Sequence, residues 1–361
     1  MKFKFCVLLL VCGLIFVVNV NASKKEAIKK LIDNYNAKGE FSGVALIAKG
    51  DKIIYKGAVG LANREWKVPN SVETKFRLCS ITKQFTAMLI MQFVAENKLD
   101  LNKKISDYLP DYRSDTGGKI RLRDLLNSSS GLPTFDTLAF YQSDDERFTD
   151  VNYVVKNYLG GDLTFEPGTK FNYNNADFFI LGAIIEKVSG KSFAENLREK
   201  IYAPLGMKNS GVYTDEIVEN QASGYYRKNG KYVIETSFRM QNYQAAASAY
   251  STIDDMFLWD RAMLTNKLLS KDLTKEMFTP SPKLYFVALG SWSYNLKLAD
   301  GKEHRMVERQ GNVGGFCNLN IIAPDDDWSV ILFSNTETQT LFRTYGNEGL
   351  SAEILNILAQ K

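Results

Sequence analysis

Leu78-Cys79-Ser80-Ile81-Thr82-Lys83 runs straight into Gln84-Phe85-Thr86-Ala87-Met88-Leu89-Ile90-Met91-Gln92-Phe93, an apolar stretch with neither glycine nor proline. The pattern reads as a helix that begins close to Ser80. Ser80 is the only serine in the chain with a lysine three residues on. Three residues are nearly one helical turn, so the Lys83 ammonium returns to the face that carries the Ser80 hydroxyl. A serine hydroxyl at its ordinary pKa is a poor nucleophile and needs a neighbouring base. At the start of a helix it also sits among unpaired N–H groups at the positive end of the macrodipole, where a developing alkoxide is favoured. A plainer use for a serine here is to cap the helix. An isolated S-x-x-K does not decide between the two, and the rest of the chain must.

The protein has 361 residues, 45% hydrophobic and 24% charged, enough to bury one large core or two lobes. Its 45 basic and 41 acidic residues are scattered, giving a net charge of +4 and no basic footprint for nucleic acid. A small-molecule or peptide substrate is the expected partner, and the oligomeric state is left open.

Lys2 and Lys4 precede an apolar run from Phe5 to Val18, and Val20-Asn21-Ala22 places small or apolar residues just ahead of Ser23. Residues 1–22 therefore read as a secretory signal peptide, and the protein as periplasmic or secreted. The apolar run is short for a bilayer span and Ser23–Lys30 holds no second one, so no stable span is expected after cleavage. A lipid anchor at Cys12 would need a smaller residue than Val11 before it and would cut the apolar run in half. Losing Lys2 and Lys4 takes the net charge from +4 to +2. It also leaves Cys79 and Cys317, which are either one bridge or two buried thiols acting as small hydrophobes.

Residues 23–361 read as a single two-lobed domain. Glu26 to Tyr35 is an amphipathic helix pattern, and Ser42–Ala48 and Lys52–Val59 are two strands joined at Gly50-Asp51. From Phe85 to about Thr279 the pattern is mostly helical, a lobe of roughly residues 85–280 broken at Gly117-Gly118, Gly160-Gly161, Pro167-Gly168 and Gly206. Strands return over Val287–Leu298, His304–Gln310, Asn318–Ala323 and Trp328–Ser334, before a helix over Leu350–Leu358. The fold class is α/β of the α+β type: an antiparallel sheet built from both termini, flanked by helices, with an inserted helical lobe. A cleft between the lobes is the expected place for a pocket.

Two further constellations carry chemistry. Glu166-Pro167-Gly168-Thr169-Lys170-Phe171-Asn172-Tyr173-Asn174-Asn175 is a turn that presents Tyr173 and Asn175 ahead of a helix. Tyr-x-Asn alone is weak, since Tyr345-Gly346-Asn347 matches it too. Near the C-terminal strands, Arg309-Gln310-Gly311-Asn312 sets a basic residue beside a glycine that lets backbone approach a substrate closely. Basic-x-Gly is also weak alone, since Lys228-Asn229-Gly230 fits it.

In this order the three motifs resemble the serine β-lactamase and penicillin-binding-protein superfamily, in which S-x-x-K, a second motif and a basic-T-G strand meet in one cleft. The Tyr-x-Asn motif is similar to that of the class C β-lactamase branch, with its DD-peptidases, D-amino-acid peptidases and carboxylesterases. Leu125-Leu126-Asn127-Ser128-Ser129-Ser130-Gly131-Leu132-Pro133, Pro167-Gly168, Leu181-Gly182 and Pro204-Leu205-Gly206-Met207 fit the same branch. The resemblance spans roughly Phe41 to Ser334. Two departures stand out: Arg309-Gln310 where the family usually has Lys or His followed by Thr or Ser, and Ser128-Ser129 where it often has His-Thr.

The resemblance implies an acyl-enzyme on Ser80, proton transfer assisted by Lys83, Asn175 hydrogen-bonding the substrate amide, and an oxyanion hole from the backbone N–H groups of Ser80 and Asn312. Tyr173, near Lys83 and Arg309 in the cleft the resemblance implies, is expected to have a stabilised phenolate that accepts the Ser80 proton. Arg309, Gln310 and Gly311 are expected to contact substrate. Arginine does not shuttle protons at ordinary pH but grips a carboxylate with two prongs, so Arg309 reads as a clamp. A Ser-His-Asp enzyme would have to use His304, the sole histidine, and no G-x-S-x-G elbow is present. His304 is expected to be structural, and no cofactor or zinc is implied. The expected function is an extracytoplasmic serine hydrolase of amide or ester bonds, DD-peptidase or β-lactamase-like. The alternatives are a carboxylesterase or transacylase of the same fold, and a non-catalytic β-lactam or peptide sensor.

Overall fold

The computed structural model of the protein describes residues 23–135, 137–235, 237–338 and 340–360. The expected signal peptide, with Cys12, lies outside the described residues. At the centre is an antiparallel sheet of six strands: β1 (Gly43–Lys49), β2 (Lys52–Val59), β3 (Trp292–Lys297), β4 (Glu303–Val313), β5 (Phe316–Ala323) and β6 (Trp328–Ser334). Their spatial order is β3-β4-β5-β6-β1-β2. The two ends of the chain meet where β1 pairs with β6, Gly43 opposite Ser334 and Lys49 opposite Trp328.

The two-residue period of the strands divides the core. On β1, Val44, Leu46 and Ala48 face one apolar cluster while Ala45 and Ile47 face another. The second cluster is closed by helix α1 (23–37), through Ile28 and Ile32, together with Leu350, Ile354, Leu355 and Leu358 near the C-terminus. The first is filled by α2 (Thr82–Ala95), α3 (Asn175–Ser189) and α4 (Ile253–Leu264). Helix α5 (Gly349–Ala359) carries the C-terminal contacts. Helix α2 is buried on every side: Thr82, Gln84 and Thr86 are covered as fully as Phe85, Leu89 and Phe93, as expected of a central helix. Each large apolar side chain on it contributes roughly 1.5–3 kcal/mol by leaving water, which makes α2 a rigid base for whatever its N-terminus carries.

The sheet built from both termini is as the sequence implies. The strand expected from Val287 begins only at Trp292, because Gly290 (φ +72°) sits in a turn in which the Ala288 N–H donates to the Ser291 carbonyl at 2.9 Å. The middle of the chain is less uniformly helical than expected. It holds a three-stranded sheet, Phe76–Arg77 and Gly211–Val212 on either side of Ala249–Ser251, and a hairpin of Tyr225–Lys228 with Lys231–Ile234. Strands of two or three residues are too short for alternation to register in a sequence.

Candidate active site

The short strand Phe76–Arg77 pairs with Ala249–Ser251, and the Leu78 N–H continues the ladder to the Ala249 carbonyl at 2.9 Å. The chain then turns sharply. Cys79 takes φ +53°, a region that residues other than glycine seldom occupy, and Cys79–Ile81 forms one 3-10 turn before α2. The Thr82 hydroxyl fastens the turn, donating to the Cys79 carbonyl at 2.7 Å and accepting from the Ala249 N–H at 3.1 Å. Ser80 sits half-buried on this turn. It does not cap the helix: the N-cap is Ile81.

Lys83 is fully buried one turn on, and its ammonium donates to Ser80 Oγ at 3.1 Å, Asn175 Oδ1 at 2.7 Å and the Ala246 carbonyl at 2.9 Å. The Tyr173 hydroxyl donates to the same Ser80 Oγ at 2.7 Å. Its segment is pinned from both sides. Asn174 caps α3 by accepting from the Ala176 N–H at 3.0 Å and donates to the carbonyls of Leu132 and Pro133 at 3.2 and 3.1 Å. The Asn172 N–H donates to the Ser128 carbonyl at 2.8 Å. Asn175 opens α3 and its amide nitrogen donates to the Tyr141 hydroxyl at 3.3 Å.

The third motif lies on β4, against the Ser80 turn. A Cβ on Gly311 would come within 2.2 Å of the Leu78 carbonyl oxygen, so backbone packs on backbone at this point. Arg309 is only 2% exposed. Its Nε donates to the Ser80 carbonyl at 3.0 Å and its Nη2 to the Tyr173 hydroxyl at 3.0 Å, with the guanidinium 4.7 Å from the Trp292 ring centre. The expectation of a guanidinium held out for a substrate carboxylate therefore meets a side chain turned inward. Gln310 is half-buried and donates to Glu308 Oε1 at 2.7 Å, while Asn312 is exposed near the end of the strand.

Burial alone would push the Tyr173 hydroxyl up, but Lys83 and Arg309, aided by the hydrogen bonds, outweigh it and hold its pKa below the ordinary phenolic value. The carboxyls that interact with these cations go the other way: burial drives Asp177 well above the carboxylate range and raises Glu308. Asp177 accepts from Ser130 Oγ at 2.5 Å. With both carboxyls shifted upward and Tyr173 shifted downward, the two cations favour ionisation of Tyr173 over that of its carboxyl neighbours relative to their ordinary values. Burial lowers the Arg309 pKa and Tyr173 opposes it, yet a guanidinium stays charged under ordinary conditions.

Sequence reasoning missed several members of this cluster. The Ala246 carbonyl, Tyr141, stacked on Tyr243 with ring centres 3.9 Å apart, and Trp292 all touch it directly or through one contact. A backbone carbonyl has no residue-type signal, and no spacing links Tyr141 or Trp292 to the motifs. Cys79 and Cys317 are both buried free thiols; Cys79 Sγ donates to the Arg77 carbonyl at 3.4 Å. His304 lies on β4, between Asp326 at 2.8 Å and Asp300 at 3.1 Å and stacked on Trp328. Among the described residues no group of three or more His, Cys, Asp or Glu side chains is placed to hold a metal ion, and no helix is long and apolar enough to cross a membrane.

Comparison with known proteins agrees with this architecture. Penicillin-binding protein 4* of Bacillus subtilis (strain 168) is 27% identical over 334 residues, covering 88% of this chain and 73% of the relative. A D-aminopeptidase of Brucella anthropi is 25% identical over 312 residues, 86% of this chain and 58% of that protein. The crystal structure of D-amino acid amidase from Ochrobactrum anthropi SV3 superposes with a TM-score of 0.79 at 24% identity, over 93% of this chain and 98% of that one. The family model described as Beta-lactamase matches residues 28–351. The chain belongs to the Beta-lactamase family of serine hydrolases.

Proposed function

We propose that the protein is an extracytoplasmic serine hydrolase that cleaves amide or ester bonds through an acyl-enzyme on Ser80, in the manner of the class C branch. The observation that carries the reading is that Ser80 Oγ lies within hydrogen-bond distance of both Lys83 Nζ (3.1 Å) and the Tyr173 hydroxyl (2.7 Å). A nucleophile with a base in contact, and that base oriented by a third group, is the arrangement covalent catalysis needs. Tyr173, as phenolate, takes the Ser80 proton while Ser80 Oγ bonds to the substrate carbonyl carbon. Lys83 assists by holding Ser80, Tyr173 and Asn175 in one field. Asn175 meets the substrate amide, and the N–H groups of Ser80 and Asn312 receive the oxyanion. Arg309 is best given a positioning role, orienting Tyr173 and supporting its charge. Gly311 provides the close approach of strand to nucleophile, and Gln310 steadies that strand through Glu308. Secretion is supported by the Lys2–Ala22 sequence pattern.

The inward guanidinium favours a second reading of the substrate. A DD-peptidase or β-lactamase would grip a carboxylate on the leaving side, and Arg309 already donates to Ser80 and Tyr173. Neutral esters and amides need no such grip, which supports an esterase or amidase over a DD-peptidase. The test is intact-mass spectrometry after treatment with a fluorophosphonate. One adduct on the wild type and none on Ser80→Ala is expected; equal labelling of both sinks the nucleophile assignment, and no labelling of either favours a binding protein that has lost turnover.

A further inference from the structure

We propose that the leaving-group side of the cleft is an aromatic subsite, built from Phe171 and Trp292 beside Tyr173, that selects neutral leaving groups carrying an aromatic ring. The inference rests on the reading of Ser80 as nucleophile and Tyr173 as its base. Ser80 Oγ bonds to the carbonyl carbon and its proton passes to Tyr173. As the intermediate collapses, the bond from that carbon to the leaving nitrogen or oxygen breaks, its electron pair stays on the leaving atom, and Tyr173 returns the proton to it. Water then hydrolyses the Ser80 ester and releases the acid. The leaving atom must therefore come within hydrogen-bond reach of the Tyr173 oxygen, and whatever it carries lies against the surroundings of that ring.

Those surroundings are aromatic. The Trp292 ring centre is 6.4 Å from that of Tyr173, Phe171 stands edge-on to Trp292 at 5.5 Å, and Phe286 stands edge-on to it at 5.8 Å. Phe171 is 39% exposed and Trp292 is partly exposed. A wall of rings set edge to face leaves ring faces and edges available to another ring, which gains from both apolar burial and quadrupole matching. The wall continues from Phe286 to Tyr345, 5.5 Å apart, into a hollow of about 390 Å³ bordered by Tyr285, Phe286, Tyr294 and Tyr345, and on its polar side by Ser293, Asn295 and Arg305. A leaving group longer than one ring has room to extend.

Charge points the same way. The two cations of the site, Lys83 and Arg309, are buried and already donate to Ser80, Asn175, Ala246 and Tyr173. A carboxylate on the leaving group would meet the negative faces of Phe171 and Trp292 and lose hydration, and the cation that borders the outer hollow, Arg305, already faces Asp325 at 3.5 Å.

Benzyl and methyl butyrate test the subsite, since the two share an acyl group and their leaving alcohols have nearly equal acidity, so that chemistry alone does not favour either. For the wild type, kcat/KM for the benzyl ester is expected to exceed that for the methyl ester by roughly 10-fold or more, and 4-carboxybenzyl butyrate to lose most of that advantage. Phe171→Ala and Trp292→Ala should each lower the benzyl-to-methyl ratio several-fold, and Trp292→Phe should keep it. The ratio is read because Trp292 also packs on Arg309 and its loss slows every substrate; Phe171→Ala leaves that contact alone. A wild-type ratio near one, a ratio unchanged in both alanine variants, or a carboxybenzyl ester faster than the benzyl ester overturns the subsite. Fluorophosphonate labelling of Ser80 separates the two readings: labelling without discrimination overturns the subsite alone, and absence of both labelling and turnover overturns the hydrolase reading with it.

Discussion

Arg309 donates to the Tyr173 hydroxyl at 3.0 Å, so the phenolic oxygen is held between this guanidinium and Ser80 Oγ. The contact is fixed before any substrate arrives, because Trp292 covers one side of the guanidinium and the Ser80 carbonyl takes its Nε. A charge set in place in advance stabilises a developing phenolate without reorganisation.

If Tyr173 is the base, Tyr173→Phe keeps the ring packing and removes only the ionising oxygen. The expected loss in kcat is on the order of 10²- to 10⁴-fold with little change in thermal midpoint. Steady-state kinetics beside a melting curve check it, and near wild-type kcat rules the role out. Lys83→Met should be comparably damaging.

Arg309→Gln tests the positioning role through pH. The Tyr173 pKa is held below its ordinary value by Lys83 and Arg309 against burial, and removing one cation must raise it. The rate limb that depends on the phenolate then moves to higher pH. At neutral pH the variant is expected to lose roughly 10- to 100-fold in kcat/KM and to recover part of it as pH rises. A uniform loss at every pH, with no displacement of the limb, would assign Arg309 to packing alone.

Gly311→Ala places a methyl within 2.2 Å of the Leu78 carbonyl oxygen, a backbone atom that cannot swing aside. Either β4 or the Ser80 turn must shift. Overpacking of this kind costs about 1–3 kcal/mol, and the displacement falls on the turn that carries Ser80. The expectation is a modestly lowered thermal midpoint with a far larger loss of turnover, and loss of stability without loss of activity would contradict it.

His304 links stability to pH at the opposite end of β4. Burial opposes its charge, but Asp326 and Asp300 outweigh burial and raise its pKa above the ordinary value of 6.5. For a group raised on folding, the added stability is complete below the unfolded value and disappears as pH climbs through the folded one. The thermal midpoint should therefore decline by about 1–4 °C as pH rises through that window. His304→Gln should remove this part of the decline, and an identical pH profile in the variant would refute the linkage.

The parts of the site legible in the sequence are those whose chemistry resides in side chains at short spacing: Ser80 with Lys83, Tyr173 with Asn175, Arg309 with Gly311. What was hidden joins segments far apart. Lys83 finds its third acceptor 163 residues away at Ala246, and Thr82 locks the Ser80 turn to Ala249, 167 residues away. Arg309 is an instructive middle case. Its type and strand were readable, but whether its guanidinium faced substrate or interior depended on Trp292, from the neighbouring strand, and on the Ser80 carbonyl. The fold was readable for a similar reason: strands such as β1, β5 and β6 are sustained apolar runs, buried on both faces and long enough to be recognised, whereas Phe76–Arg77 and Ala249–Ser251, which hold the Ser80 turn, are too short to register.

The pairing of β1 with β6 governs when the site comes into being. A growing chain contains Ser80, Lys83 and Tyr173 while it still lacks β4, the strand that brings Arg309 and Gly311, and while one edge of β1 still waits for residues Trp328–Ser334. Contacts of such long sequence separation form slowly and leave an open strand edge in the meantime. A fragment ending before Glu303 would carry Ser80, Lys83 and Tyr173 without Arg309 or Gly311, and is expected to be inactive. Whatever Ser80 does, it does only after the last strands have closed over the first.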